Sequence, residues 1–140
     1  MHSVLNNTGL LIIIGVALVI LLLISSLAAK LRPRKLDIKK YQQRWLEIEK
    51  LCSKSSTWPL AVINADTLLD EALKRRHFKG KTMGERLVAA QRNLNNNDTV
   101  WFGHKLRNKI VHEEMSRLYR RDVQSALRGF RDALKDLGAL

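Results

Sequence analysis

The sequence predicts an all-α protein, an N-terminal transmembrane helix followed by a bundle of four to five helices, and three observations carry that prediction. Gly9 to Ala29 is a run of 21 residues without a charge. Beyond it, apolar residues recur at three- and four-residue steps, the spacing that gathers them on one face of a helix. No stretch alternates apolar and polar residues as a half-buried strand would, no segment repeats another, and there is no glycine-rich phosphate loop.

A chain of 140 residues has room for one membrane segment and one small domain, but not for two cores. Lys and Arg number 25 against 13 Asp and Glu, and no charge precedes Lys30, so the whole formal +12 belongs to the part after the apolar run. A domain this basic suits phosphate, in nucleic acid or on an anionic membrane surface. Cys52 is the only cysteine, which excludes an internal disulfide and a Cys-based zinc cluster; it is expected to pack as a small apolar residue.

At ~1.5 Å per residue the run Gly9–Ala29 reaches ~31 Å, matching a hydrocarbon core of ~30 Å. The rival reading is a signal peptide cut after Ala28, with Ser26 and Ala28 as the small residues. Against it, no Lys or Arg precedes the run, and the run exceeds the usual ~7–15 apolar residues. Lys30, Arg32, Arg34, Lys35, Lys39 and Lys40 follow, opposed only by Asp37. The positive-inside rule then places residues 1–8 outside as a short extracytoplasmic tail and the C-terminal domain in the cytoplasm, with residues 30–36 as a basic linker beside the lipid headgroups. The membrane is thus an expected partner, through Gly9–Ala29 and the basic stretch Lys30–Lys40.

The helical domain is expected over residues 37–140. Ile38, Tyr41, Trp45, Ile48 and Leu51 pattern a first amphipathic helix, broken at Lys54–Ser56. Ser56 or Thr57 is placed to cap a second, with Pro59 in its first turn, where a missing N–H matters little. This helix reaches about Arg76. It is expected to bury Val62, Ala65, Leu69 and Leu73 or their neighbours Ala61, Leu68 and Ala72, a band wide enough for the centre of the bundle. His77–Lys81 makes a turn, and Thr82 with Glu85 has capping-box spacing for a short helix from Met83 to about Asn93. An Asn-rich loop leads to a further helix with Asp98 as its expected N-cap. After a lapse over Glu113–Tyr119, Val123, Ala126, Leu127, Phe130, Ala133, Leu134 and Leu137 form the last helix, stopped at Gly138.

The chemistry is concentrated in Trp101 to Glu114. Counting from Asp98, Phe102, Leu106 and Ile110 are expected along the core side near Gly103, while His104, Asn108 and His112 stack at i, i+4 steps on the other. Arg107 lies beside this stripe. A zinc site made of that stripe lacks a third strong ligand, since the middle position is Asn, so no metal and no cofactor is expected. Arg107 and His112 stand ~140° apart around an ideal helix and ~7.5 Å apart along it, too far round to face one small ligand. Either the helix loosens before His112, or two copies of the chain combine their residues across a symmetric seam. The plain alternative is an Arg paired with Glu113 or Glu114 and a His that ends a helix.

Arg107, Asn108 and His112, late in a helical domain and before one last amphipathic helix, resemble the HEPN signature of Arg, a polar residue and then His four to six positions after the Arg. The resemblance covers roughly residues 36–138. It implies an all-helical domain that pairs as a homodimer with the two motifs meeting in a cleft, and a metal-independent endoribonuclease acting on cytoplasmic RNA. It also implies an antitoxin or other regulatory protein as a partner. In that reading His112 moves a proton, Arg107 clamps the phosphate, and Asn108 orients His112 or touches the ribose. Trp101, His104 and Lys105 are candidates for RNA contact or for the seam. Members modified on a Tyr two positions after the His differ from this chain, which has Glu114 there, so that regulation is not carried over. The alternative function is a non-catalytic module holding RNA, a nucleotide or a protein at the membrane.

Overall fold

The computed structural model describes residues 2–31, 35–112 and 117–140, and all its regular structure there is helical. The chain falls into two compact units, Met1–Pro33 and Arg34–Leu140. The first is a single helix, α1 (His2–Leu31), so the segment expected as a tail is helical from His2 onward. Within it Gly9–Ala29 is long and apolar enough to cross a membrane. Its large apolar side chains, Leu11, Val19 and Leu22 among them, are exposed. The middle of the expected basic linker, Arg32, Pro33 and Arg34, lies outside the described residues, as do Glu113, Glu114 and their neighbours up to Ser116.

The second unit is a bundle of five helices: α2 (Ile38–Leu51), α3 (Trp58–Arg75), α4 (Met83–Ala90), α5 (Asn97–His112) and α6 (Arg120–Asp136). Asp37 starts α2 by accepting a hydrogen bond from the Lys40 N–H at 3.2 Å, which satisfies one of the four orphan donors of a helix start. Tyr41, Trp45 and Ile48 turn inward as their spacing predicts, whereas Ile38 stays exposed. Arg44 grips Glu71 of α3 with both terminal nitrogens, NH2 to Oε1 at 3.1 Å, tying α2 to α3. That carboxylate pushes Arg44 further up from its ordinary value.

Helix α3 occupies the centre and touches all four of the others. Both of the alternative apolar sets expected of it, Val62, Ala65, Leu69 and Leu73 and their neighbours Ala61, Leu68 and Ala72, are buried. Thr57 precedes it without capping: its hydroxyl turns back to carbonyls of the preceding turn, including Lys54 O at 2.9 Å. The helix ends in a left-handed residue, His77 (φ 63°), with Phe78 N–H on Leu73 O and His77 N–H on Lys74 O, the paired bonds of a Schellman ending. Gly138 (φ 70°) closes α6 in the same way, and there glycine removes the steric penalty that His77 carries.

The capping box of α4 is present in modified form. Thr82 Oγ1 accepts from Glu85 N–H at 3.2 Å, while the Glu85 carboxylate reaches Lys81 N–H at 2.6 Å. The α-helix stops at Ala90, and a 3₁₀ turn carries the chain on to Asn93.

The Asn-rich loop that follows has no period because each Asn side chain works on backbone or on a helix end. Asn95 holds Asp136 at the end of α6 through its N–H (2.8 Å) and its amide (2.6 Å). Asn96 Oδ1 accepts from Thr99 N–H at 3.3 Å, and Asn97 donates to Gln91 O and Leu94 O. The capping oxygen of α5 is therefore that of Asn96, not of Asp98, and this moves the start of the helix toward the loop.

The face of α5 turned to the core also differs from the expected one. Val100, Gly103 and Leu106 are buried, Ile110 is partly buried, and Phe102 is 40% exposed. The cause is the partner helix. A Cβ on Gly103 would stand 2.7 Å from Phe130 Cζ, so only glycine lets the Phe130 ring reach the α5 backbone. Phe130 is fully buried, and its burial outweighs that of Phe102 because a ring on the inner face of α6 has no other place to go.

Candidate functional site

With α5 rotated this way, His104 leaves the exposed face assigned to it and turns toward α3. His104 Nδ1 lies 2.8 Å from Asp66 Oδ1, and the His104 and Asp66 side chains are only 12% and 6% exposed. Arg107 approaches the same carboxylate, Nε to Oδ2 at 3.5 Å, beyond good hydrogen-bond geometry. Arg107 NH1 donates to Asn108 Oδ1 at 3.1 Å, and Asn108 Nδ2 lies 3.4 Å from His104 Nε2.

The directions of these bonds follow from one fact: a guanidinium can only donate. Arg107 must therefore face the amide oxygen of Asn108, which turns the Asn108 NH₂ toward His104. Nε2 of His104 is then placed to accept from that amide and Nδ1 to donate to Asp66. The chain from Arg107 through Asn108 and His104 to Asp66 is continuous, with the buried Arg107 Nε left without a hydrogen-bond partner.

These four residues line a cleft of about 460 Å³ together with Thr67 and Asp70 of α3 and with Thr82, Met83 and Gly84 at the start of α4. Asp70, one turn beyond Asp66, is already held by buried Arg86, Nε to Oδ1 at 2.7 Å, and by Lys74 Nζ at 2.6 Å. Arg86 also donates to Gly80 O at 2.7 Å, so it fixes the turn before α4 as well as the acidic wall. Trp101 is half-buried and stands edge-on to the His104 ring, centroids 6.0 Å apart at 72°, with α4 on its other side near Gly84. Its place is structural support for the imidazole. A roomier surface hollow, about 570 Å³ and lined by Trp58, Arg117 and Tyr119 among others, has neither a carboxylate nor an imidazole. The α3–α4–α5 cleft is where acid, base and cation converge.

Of the residues singled out in the sequence, Arg107 and Asn108 stand together in the cleft with His104. Lys105 points to solvent, and His112, the last residue of α5, is exposed and does not line the cleft. Asp66 was not anticipated. Its signal was present, a lone carboxylate inside the apolar band between Ala65 and Leu68, where a charge is retained only if something pairs with it. Among the described residues no three His, Cys, Asp or Glu side chains are grouped to hold a metal ion. Burial pushes the Cys52 thiol up, and Cys52 donates weakly to Ile48 O at 3.4 Å, which leaves it a poor nucleophile. No family model, curated protein or solved structure matches the chain.

Proposed function

We propose that the chain is a membrane-anchored, metal-independent endoribonuclease of HEPN type, its bundle on the cytoplasmic side, cleaving RNA by attack of the 2′-hydroxyl on the adjacent phosphorus. The observation that carries this reading is the meeting of Arg107 and Asn108, two residues of the motif, with an imidazole held by a buried carboxylate, all on the wall of one cleft. Arg107 supplies a planar, permanent cation for two phosphate oxygens, and its hold strengthens as charge builds toward the transition state. The internal nucleophile removes any need for an enzyme nucleophile. The basic composition favours a polyanion.

His112 enters this reading through a second copy of the chain. It is solvent-facing on its own helix, and a two-fold seam along α5 would set the His112 of each copy in one groove with the Arg107 of the other. The membrane helix would assist by confining chains to two dimensions, which raises their effective concentration.

The test is cleavage of labelled RNA by the full chain in detergent micelles with excess chelator, beside Arg107→Ala and His112→Ala. Each variant is expected to lose about 100-fold or more, the scale of a missing acid–base or phosphate-binding group. No cleavage by the wild type, or equal cleavage by all three, overturns the reading. Light scattering on the same samples is expected to show a protein dimer wherever cleavage is seen.

One observation favours a non-catalytic module instead: Arg107 and His104 both face Asp66, so part of the cation's charge is already answered inside the protein. In that case RNA binds with a steep salt dependence and is released intact, whereas binding of a protein partner depends less on salt.

A further inference from the structure

Resting on the ribonuclease reading, we infer that His104 is the general base of the cleft and that Asp66 is its positioning residue. The sequence pattern placed the proton-transfer role on His112 alone; the geometry adds a second imidazole, and this one is already oriented.

Three features carry the assignment. Asp66 is buried, and its Oδ1 accepts from His104 Nδ1 at 2.8 Å, so one tautomer is selected and the ring is held in one orientation. The Nε2 lone pair is left on the cleft side, where its one partner is Asn108 Nδ2 at 3.4 Å, the longest hydrogen bond of the network. A substrate hydroxyl can replace so weak a bond at little cost, and Asn108 is then free to keep its bond to Arg107. Trp101 closes one side of the ring edge-on, which keeps the imidazole from swinging off Asp66.

The step balances as follows. The 2′-O–H bond breaks and its proton passes to His104 Nε2, while the 2′-oxygen forms a bond to phosphorus. The P–O5′ bond breaks, and the 5′-oxygen leaves with a proton supplied by His112 of the second copy of the chain, which takes one back from water. The products are a 2′,3′-cyclic phosphate and a 5′-hydroxyl. His104 then returns its proton to water, and Asp66 keeps its hold on Nδ1–H, steadying the imidazolium without taking the proton.

The experiment uses the full chain in detergent micelles and has two readouts. The first is a long-range ¹H–¹⁵N correlation spectrum of the four histidines, with His104 assigned through His104→Gln, on the wild type and on Asp66→Asn. The wild type is expected to show His104 as the Nδ1–H tautomer, and Asp66→Asn a shift toward Nε2–H. The second is cleavage of an oligonucleotide bearing a single ribonucleotide. His104→Gln is expected to lose about 100- to 10,000-fold in kcat with KM nearly unchanged, the range of a missing general base. Asp66→Asn is expected to lose at least tenfold in the same way. A wild-type Nε2–H tautomer, or a tautomer indifferent to Asp66→Asn, overturns the positioning role even if a variant folds poorly or no RNA is cut. Active wild type with equally active His104→Gln overturns the base and leaves the ribonuclease reading standing. A wild type inert on every RNA overturns both the ribonuclease reading and the base.

Discussion

The Phe130 ring rests on the backbone of Gly103, so close that a single methyl group on Gly103 would overlap Cζ, Cε1 and Cε2 at 2.7–3.1 Å. This contact sets the rotation of α5 about its own axis, and the rotation turns His104 to Asp66. The same seam is tightened where Gly129 meets the Thr99 carbonyl.

Gly103→Ala is therefore expected to destabilise the bundle by about 1–3 kcal/mol, the usual result of overpacking a filled site, although alanine is the better helix former. Pairing it with Phe130→Leu should recover part of the loss. Urea unfolding of the single and double variants checks this, and additive losses would mean that the two positions do not share the contact.

Tyr41 is buried, and its hydroxyl has no hydrogen-bond partner among the described residues. Burial raises its pKa above the ordinary 10.0, with Glu71 adding to the rise and Arg75 and Arg44 opposing it. A raised pKa in the folded state means that stability is intact below pH 10 and falls as pH climbs past 10, because the unfolded chain releases the proton first. Tyr41→Phe is expected to raise stability by about 1 kcal/mol and to flatten that alkaline decline. Thermal melts from pH 7 to pH 11 measure both.

Arg107→Lys keeps the charge but gives up the fork that reaches Asn108 Oδ1 and Asp66 together. The expected loss in kcat/KM on RNA is about 1–3 kcal/mol, roughly 5- to 150-fold, with a smaller change in melting temperature. Unchanged kcat/KM would return Arg107 to a purely structural part.

The bundle is expected on the cytoplasmic side, since six basic residues follow the span and none precedes it. Cys52 is a poor reporter, being half-buried with its thiol pushed up. Lys79→Cys, in the exposed turn before α4, is the better one. A membrane-impermeant maleimide should label it only after cells are lysed; labelling of intact cells would put the bundle outside.

The fold class was legible in the residues because its signals are local. The charge-free run, the inward spacing of Tyr41, Trp45 and Ile48, the apolar band of α3 and Gly138 as a stop each act within a few positions of themselves. Arg107 and Asn108 could be named from a short motif for the same reason. What the tertiary structure alone decided is which way α5 faces and what its polar residues meet. The apolar residues of α5 do not form one stripe, so its own sequence leaves the rotation open. The choice falls to Phe130, which needs Gly103, and to Asp66, 38 residues upstream of His104, a buried charge that must find a partner. Such contacts between distant parts of the chain leave no periodic trace, which is why a histidine placed on the surface by helical spacing stands instead against a buried carboxylate.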